Sequence, residues 1–156
     1  MHSIDLNCDL GESFGAYTIG LDETVTPHVT SVNIACGWHA GDPLVMERTV
    51  ALAKQCGVAI GAHPGFPDLL GFGRRELKVS PDEVYSYVKY QIGALYAFAR
   101  SHHMELQHMK AHGSLYNMAG KDIRLAEAMC RACRDFDSQL ILLALAGSKM
   151  EEAAQQ

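Results

Sequence analysis

Positive charge is scarce in this chain: 13 Lys and Arg stand against 18 Asp and Glu, a net charge of -5. Without a basic footprint, nucleic acid and anionic membrane surfaces are not expected partners. No apolar h-region opens the sequence and no long apolar span follows, which argues against secretion and membrane insertion. The first thirty residues instead carry Asp5, Asp9, Glu12, Asp22 and Glu23. Cysteine is sparse, five in number and without disulfide-like spacing, so free thiols in a reducing cytoplasm are expected. Repeats, low-complexity stretches and linkers are absent. With 48% hydrophobic and 20% charged residues, the 156-residue chain reads as one globular domain spanning 1–156. The phosphate-cradling pattern G-x-x-x-x-G-K-[ST] is missing, as is the helical zinc pattern H-E-x-x-H.

The chain does contain a repeated juxtaposition. Four short apolar runs of strand type each end in chemically active groups: Ile4 to Glu12, Val32 to Asp42, Val58 to Pro64 and Leu106 to Gly113. Helical signals separate them. Asp42 caps a helix with Pro43 at its first position and Gly57 past its end. Ser80-Pro81-Asp82-Glu83 is a capping box, followed by the stripe Val84, Val88, Ile92, Leu95 and Ala99, which predicts a long helix to about His102. Asp122 caps a third helix with Leu125, Met129 and Phe136 on its apolar face. The run Leu140 to Ala146 is apolar throughout, as expected of a fifth strand buried on both faces. Strands alternating with helices predict an α/β fold with about five parallel strands, whose C-terminal ends share one face. The four clusters should therefore converge on one pocket.

Several groups carry alternative readings. Asp5, Asn7 and Asp9 alternate along the first strand, with Glu12 just beyond, either as a solvated polar row or as an inward row needing a cation or substrate. His39 and His63, with Asp9, suit a divalent ion, or they are hydrogen-bonded pocket histidines without one. Asp42 follows His39 by three and joins the candidate catalytic groups. Lys110 and His112 lie two apart on one face of the fourth strand, with Tyr116 and Asn117 on the turn that follows. Lys110 is an acid–base group, a cation for an anionic substrate, or the salt-bridge partner of a first-strand carboxylate. Asp68 to Arg75 reads as a mobile loop whose Arg74 and Arg75 suit a carboxylate or phosphate, or as a solvated turn. Cys130 and Cys133 form a C-x-x-C, but lie mid-helix without a second pair, which favours burial. Trp38 is expected to form a pocket wall.

Taken together, D-L-N-C-D-L-G-E, S-V-N-I-A-C-G-W-H-A-G-D, G-A-H-P-G-F-P-D, G-F-G-R-R and H-M-K-A-H-G-S-L-Y-N resemble the LamB/YcsF family, in order and from Ser3 to about Gly147. The resemblance implies an irregular (β/α) barrel similar to those of polysaccharide deacetylases and some glycoside hydrolases. It also implies opening of 5-oxoproline to L-glutamate coupled to ATP hydrolysis, by the A component of a 5-oxoprolinase beside partner subunits B and C. In that setting Asp9, Asp42, Lys110 and His112 are the candidate catalytic residues. Asn7, Glu12, Asn33, Arg74, Arg75, Tyr116 and Asn117 are candidates for substrate binding, and Asp9, His39 and His63 for a divalent metal. The alternatives are a metal-dependent N-deacetylase or amidohydrolase acting without ATP, and a non-catalytic barrel fragment. Full barrels of this architecture run to roughly 250 residues. This chain is therefore expected to be an incomplete barrel lacking its closing strands, and to dimerise or aggregate through the exposed fifth-strand region.

Overall fold

A computed structural model describes residues 3–156. Five parallel strands form one sheet in chain order: β1 (Asn7–Leu10), β2 (Ser31–Ala35), β3 (Ala59–His63), β4 (Leu106–Met109) and β5 (Ile141–Leu142). Among the described residues β1 and β5 do not pair, so the sheet is an unclosed arc, consistent with an incomplete (β/α) barrel. Between the strands run α1 (Asp22–Val25) with a 3-10 turn at Thr26–His28, α2 (Pro43–Cys56), α3 (Pro81–Ser101), α4 (Gly113–Ala119) and α5 (Ile123–Phe136), and α6 (Lys149–Ala154) follows β5. No helix among the described residues is long and apolar enough to cross a membrane.

The helix limits follow from local chemistry. Asp42 accepts a hydrogen bond from the Val45 amide at 2.9 Å, and α2 ends at Gly57 in the left-handed region, φ 67°. Ser80 and Glu83 close the capping box at the start of α3. Val84, Val88, Ile92, Leu95 and Ala99 are fully buried, the largest contributing roughly 1.5–3 kcal/mol each. Val32 and Ile34 of β2, Ile60 and Ala62 of β3 and Met109 of β4 meet this stripe in one core. The opposite face of the sheet is polar: Asn7, Asp9, Ser31, Asn33, His63 and His108 sit there because side chains alternate along each strand. Cys133 is buried on α5 and Cys130 half-buried, both as free thiols.

Three expectations are corrected. The fifth strand is two residues long, not Leu140 to Ala146, and Ile141 and Leu145 remain about half exposed. An apolar run reads as doubly covered only when a neighbour exists on each side, and β5 is a sheet edge. Tyr116 and Asn117 lie on a short helix, α4, not on a turn. Trp38 does not line the site cavity; it stacks on Tyr90 at 5.3 Å and meets Tyr87 edge-on at 4.9 Å, both on α3.

Candidate active site

The strand ends deliver their polar groups to one place. A cavity of about 380 Å³ is lined by Asp9 from β1, His63 from β3, Lys110 and His112 beyond β4, Arg74 from the preceding loop, and Ser114, Tyr116 and Asn117 from α4. Lys110 and His112 lie past the end of β4, yet stay in line with it. Their amides donate to the carbonyls of Ala62 and Pro64, so the ladder with β3 continues and both residues face Asp9. A larger groove of about 570 Å³ lies between the 13–24 segment and α2. It holds none of the candidate site residues, so chemistry rather than volume identifies the site.

Asp9 is the hub. Its Oδ1 accepts from Lys110 Nζ at 2.9 Å and from Asn33 Nδ2 at 2.6 Å, while Oδ2 stands 3.5 Å from His63 Nε2. Burial pushes the Asp9 carboxyl up, but His63, Asn33 and Lys110 together outweigh it and hold it below the usual carboxylate range. The salt-bridge reading of Lys110 and its place in the site therefore coincide in space: it pairs with a first-strand carboxylate inside the cavity.

Behind the cavity lies a cage of four donors, Glu12, His39, His63 and His112, whose ligand atoms all fall within 4.8 Å of one another. His63 Nδ1 donates to the Lys110 carbonyl at 2.7 Å, and His112 Nε2 donates to the Phe72 carbonyl at 2.8 Å. Each neutral ring then carries its lone pair on the remaining nitrogen, and those two nitrogens face each other at 3.0 Å. Two lone pairs at that distance repel unless a proton or a cation lies between them. Protonation is opposed by desolvation, which lowers His63 to about 4 and His39 to about 2. His39 is buried, stacks on His112 at 3.8 Å and has no hydrogen bond on either nitrogen. Glu12 Oε1 lies 3.9 Å from both His39 Nε2 and His112 Nδ1. Burial, then the neighbouring Asp9 charge, pushes its carboxyl up to about 7. Orphaned imidazole nitrogens, opposed lone pairs and one carboxylate are donors that could hold a divalent ion. The cage differs from the expected metal set by including Glu12 and His112 in place of Asp9.

The loop after β3 holds this cage shut. Phe72 has φ 52°, rare for a non-glycine residue, and its carbonyl fixes the His112 tautomer. Gly73, at φ 63°, presses against His39 and His112, where a Cβ would fall 2.7 Å from the Cβ of His39. Arg75 makes a forked pair with the buried Asp68, and does not line the cavity. Only Arg74 of the two arginines does. Asp42 is likewise committed elsewhere: its oxygens accept from the amides of Val45 and Gly15, and it is outside both the cavity and the cage. Asp42→Ala is expected to lower stability by about 1 kcal/mol, as loss of a helix cap does. Denaturant unfolding checks this, and an unchanged midpoint would deny the capping role. Asn7 and Asn33 lie beside Asp9 in a part-buried network and not on the cavity wall. His108, which joins that network through Asn33, is absent from the sequence-based site residues. Its spacing two before Lys110 is the signal that places it on the same face.

The LamB/YcsF family profile matches residues 4–156. A protein of Clostridium beijerinckii, named as the A component of 5-oxoprolinase, is 61% identical over 155 residues, 99% of this chain and 61% of that protein. Another of the same name, from Geobacillus thermodenitrificans, is 63% identical, covering 99% of this chain and 60% of the relative. The crystal structure of a lactam utilization protein from Thermus thermophilus superimposes with a TM-score of 0.97 at 51% identity, covering 99% of this chain and 62% of that one. The chain thus spans about 60% of the length of the curated relatives it matches.

Proposed function

Because the chain belongs to the LamB/YcsF family, we propose that it provides the hydrolytic site of an ATP-dependent 5-oxoprolinase, acting as its A component with partner subunits B and C. The observation that carries this reading is the convergence of Asp9, Lys110, His63, His112 and Arg74 on one cavity. The substrate, 5-oxoproline, is a five-membered lactam bearing a carboxylate. Arg74 supplies a cation for that carboxylate at the cavity wall. Resonance makes the lactam carbon a poor electrophile. Transfer of the ATP γ-phosphoryl group to the amide oxygen makes it a good one, whichever component binds the nucleotide.

Water then adds to the activated carbon. Asp9 Oδ2, not engaged by Asn33 or Lys110, takes the water proton. The ring C–N bond breaks as Lys110 protonates the departing nitrogen, leaving an acyl phosphate on the side chain. A second water cleaves that to L-glutamate and inorganic phosphate, so two waters and one ATP are consumed per ring. Glu12, His39, His63 and His112 would hold a divalent ion, which would supply Lewis-acid polarisation. That cage also favours a second reading, metal-dependent amide hydrolysis without ATP.

The test is glutamate release from 5-oxoproline by the assembly, with and without ATP and with each partner withheld. Glutamate formed only with ATP and all components supports the proposal. Deacetylation of an N-acyl sugar without ATP would support the second reading, and absence of both activities would defeat both.

A further inference from the structure

The part-buried network beneath the cavity has a defined hydrogen-bond direction, and that direction reaches Asp9. It begins at Asp5, whose carboxylate can only accept; Ser31 Oγ donates to it at 2.6 Å. Having donated, Ser31 Oγ accepts from Asn7 Nδ2 at 2.8 Å. The Asn7 carbonyl oxygen is thereby turned toward Asn33, whose Nδ2 donates to it at 2.6 Å. The second hydrogen of that amide goes to Asp9 Oδ1, also at 2.6 Å. The Asn33 carbonyl oxygen is left to accept from His108 Nε2 at 2.6 Å and from Asn7 Nδ2 at 3.1 Å. Flipping the Asn33 amide would set its oxygen against the Asp9 carboxylate and its NH2 against two donors. Only one orientation satisfies the network.

Backbone design brings His108 to this point. A register shift between Ile60 and Gly61 pairs Leu106 with Ile60 and His108 with Gly61, so β4 sends Leu106 to the core and His108 to the polar face. The imidazole lies over Gly61, where any Cβ would overlap the ring. Asn33 is fully buried, and His108 is 2% exposed, so neither reaches substrate in the cavity. Burial keeps the His108 ring below its ordinary pKa, in the neutral form with its Nε2 hydrogen on Asn33.

We propose that Asn33 and His108 are positioning residues: the His108 imidazole fixes the Asn33 amide, which pins Asp9 Oδ1 and leaves Oδ2 as the oxygen that meets water. The expected substrate-binding role of Asn33 is replaced by this one. The inference rests on the reading of Asp9 as the base, and extends it by naming what selects the reactive oxygen.

His108→Leu removes the donor and keeps the volume roughly constant. Loss of one hydrogen bond on a network that ends at a charged group should lower kcat of the assembly about tenfold to a hundredfold, with KM changed little. His108→Gln places an amide nitrogen near the lost Nε2 and should restore most of the rate. A crystal structure of His108→Leu should show the Asp9 carboxylate rotated and its hydrogen bond to Asn33 lost. Thermal unfolding of each variant separates misfolding from mispositioning, and Asn33→Ala gives a second route to the same rotation. An unmoved Asp9 in a folded His108→Leu protein overturns the proposal. Equal loss of kcat in the Leu and Gln variants with Asp9 unmoved does so too. If wild-type assembly makes no glutamate, the base assignment fails, while the crystallographic result still decides whether His108 and Asn33 orient Asp9.

Discussion

Asp9→Asn should lower glutamate formation by the assembled enzyme by on the order of a thousandfold, the range lost when a general base is removed. Asparagine keeps the shape and leaves an oxygen for Lys110 Nζ and Asn33 Nδ2, both of which reach Asp9 Oδ1 in the wild type. What disappears is basicity and charge. Lys110→Ala acts in the same direction through the cation beside the base, and turnover should be abolished with the fold intact. Steady-state kinetics alongside unfolding curves measure both. Activity within a few-fold of wild type in either variant would reduce the pair to a structural salt bridge, which at a partly exposed position is worth about 1 kcal/mol or less.

The second large effect concerns the histidine cage. Protein stripped of metal and titrated with Zn²⁺ should bind one equivalent, and His39→Leu should weaken that binding by on the order of a hundredfold or more. The same substitution should leave the metal-free protein at least as stable, because it removes two buried nitrogens that have no hydrogen-bond partner. That pairing of signs is specific to a ligand histidine: a structural histidine would destabilise on replacement. Titration calorimetry and unfolding with and without chelator measure both. If wild type binds no ion, the facing nitrogens of His63 and His112 share a proton instead, and the cage is a buried imidazole pair.

Much of the fold is legible in the sequence because its punctuation is local. Asp42-Pro43, the Ser80–Glu83 box and Asp122 each satisfy orphan amides at a helix start within three residues, and α2, α3 and α5 begin there. The α4 helix escapes notice because it opens on Gly113 and has no side-chain cap. The shortness of β5 is equally hidden, since apolar composition records a tendency to be covered and not whether a neighbouring strand exists. In the site, residues at strand ends could be read from alternation: Asp9, His63, Lys110 and His112 meet as spacing suggests. Asp42 and Arg75 could not be separated from them by type, because a carboxylate that caps a helix and a guanidinium that grips a buried aspartate look the same in sequence as ones that meet substrate. Glu12 meets His39, His63 and His112 in the cage through a three-dimensional approach with no spacing rule behind it.

The most direct measurement is the position of the lactam itself. A crystal structure of the assembly soaked with 5-oxoproline should place the ring in the cavity bounded by Asp9, His63, Lys110 and His112, with the substrate carboxylate on Arg74 and the carbonyl carbon facing Asp9 Oδ2. A ring bound elsewhere in the assembly, with this cavity holding only solvent, would contradict the assignment of the hydrolytic site to this chain.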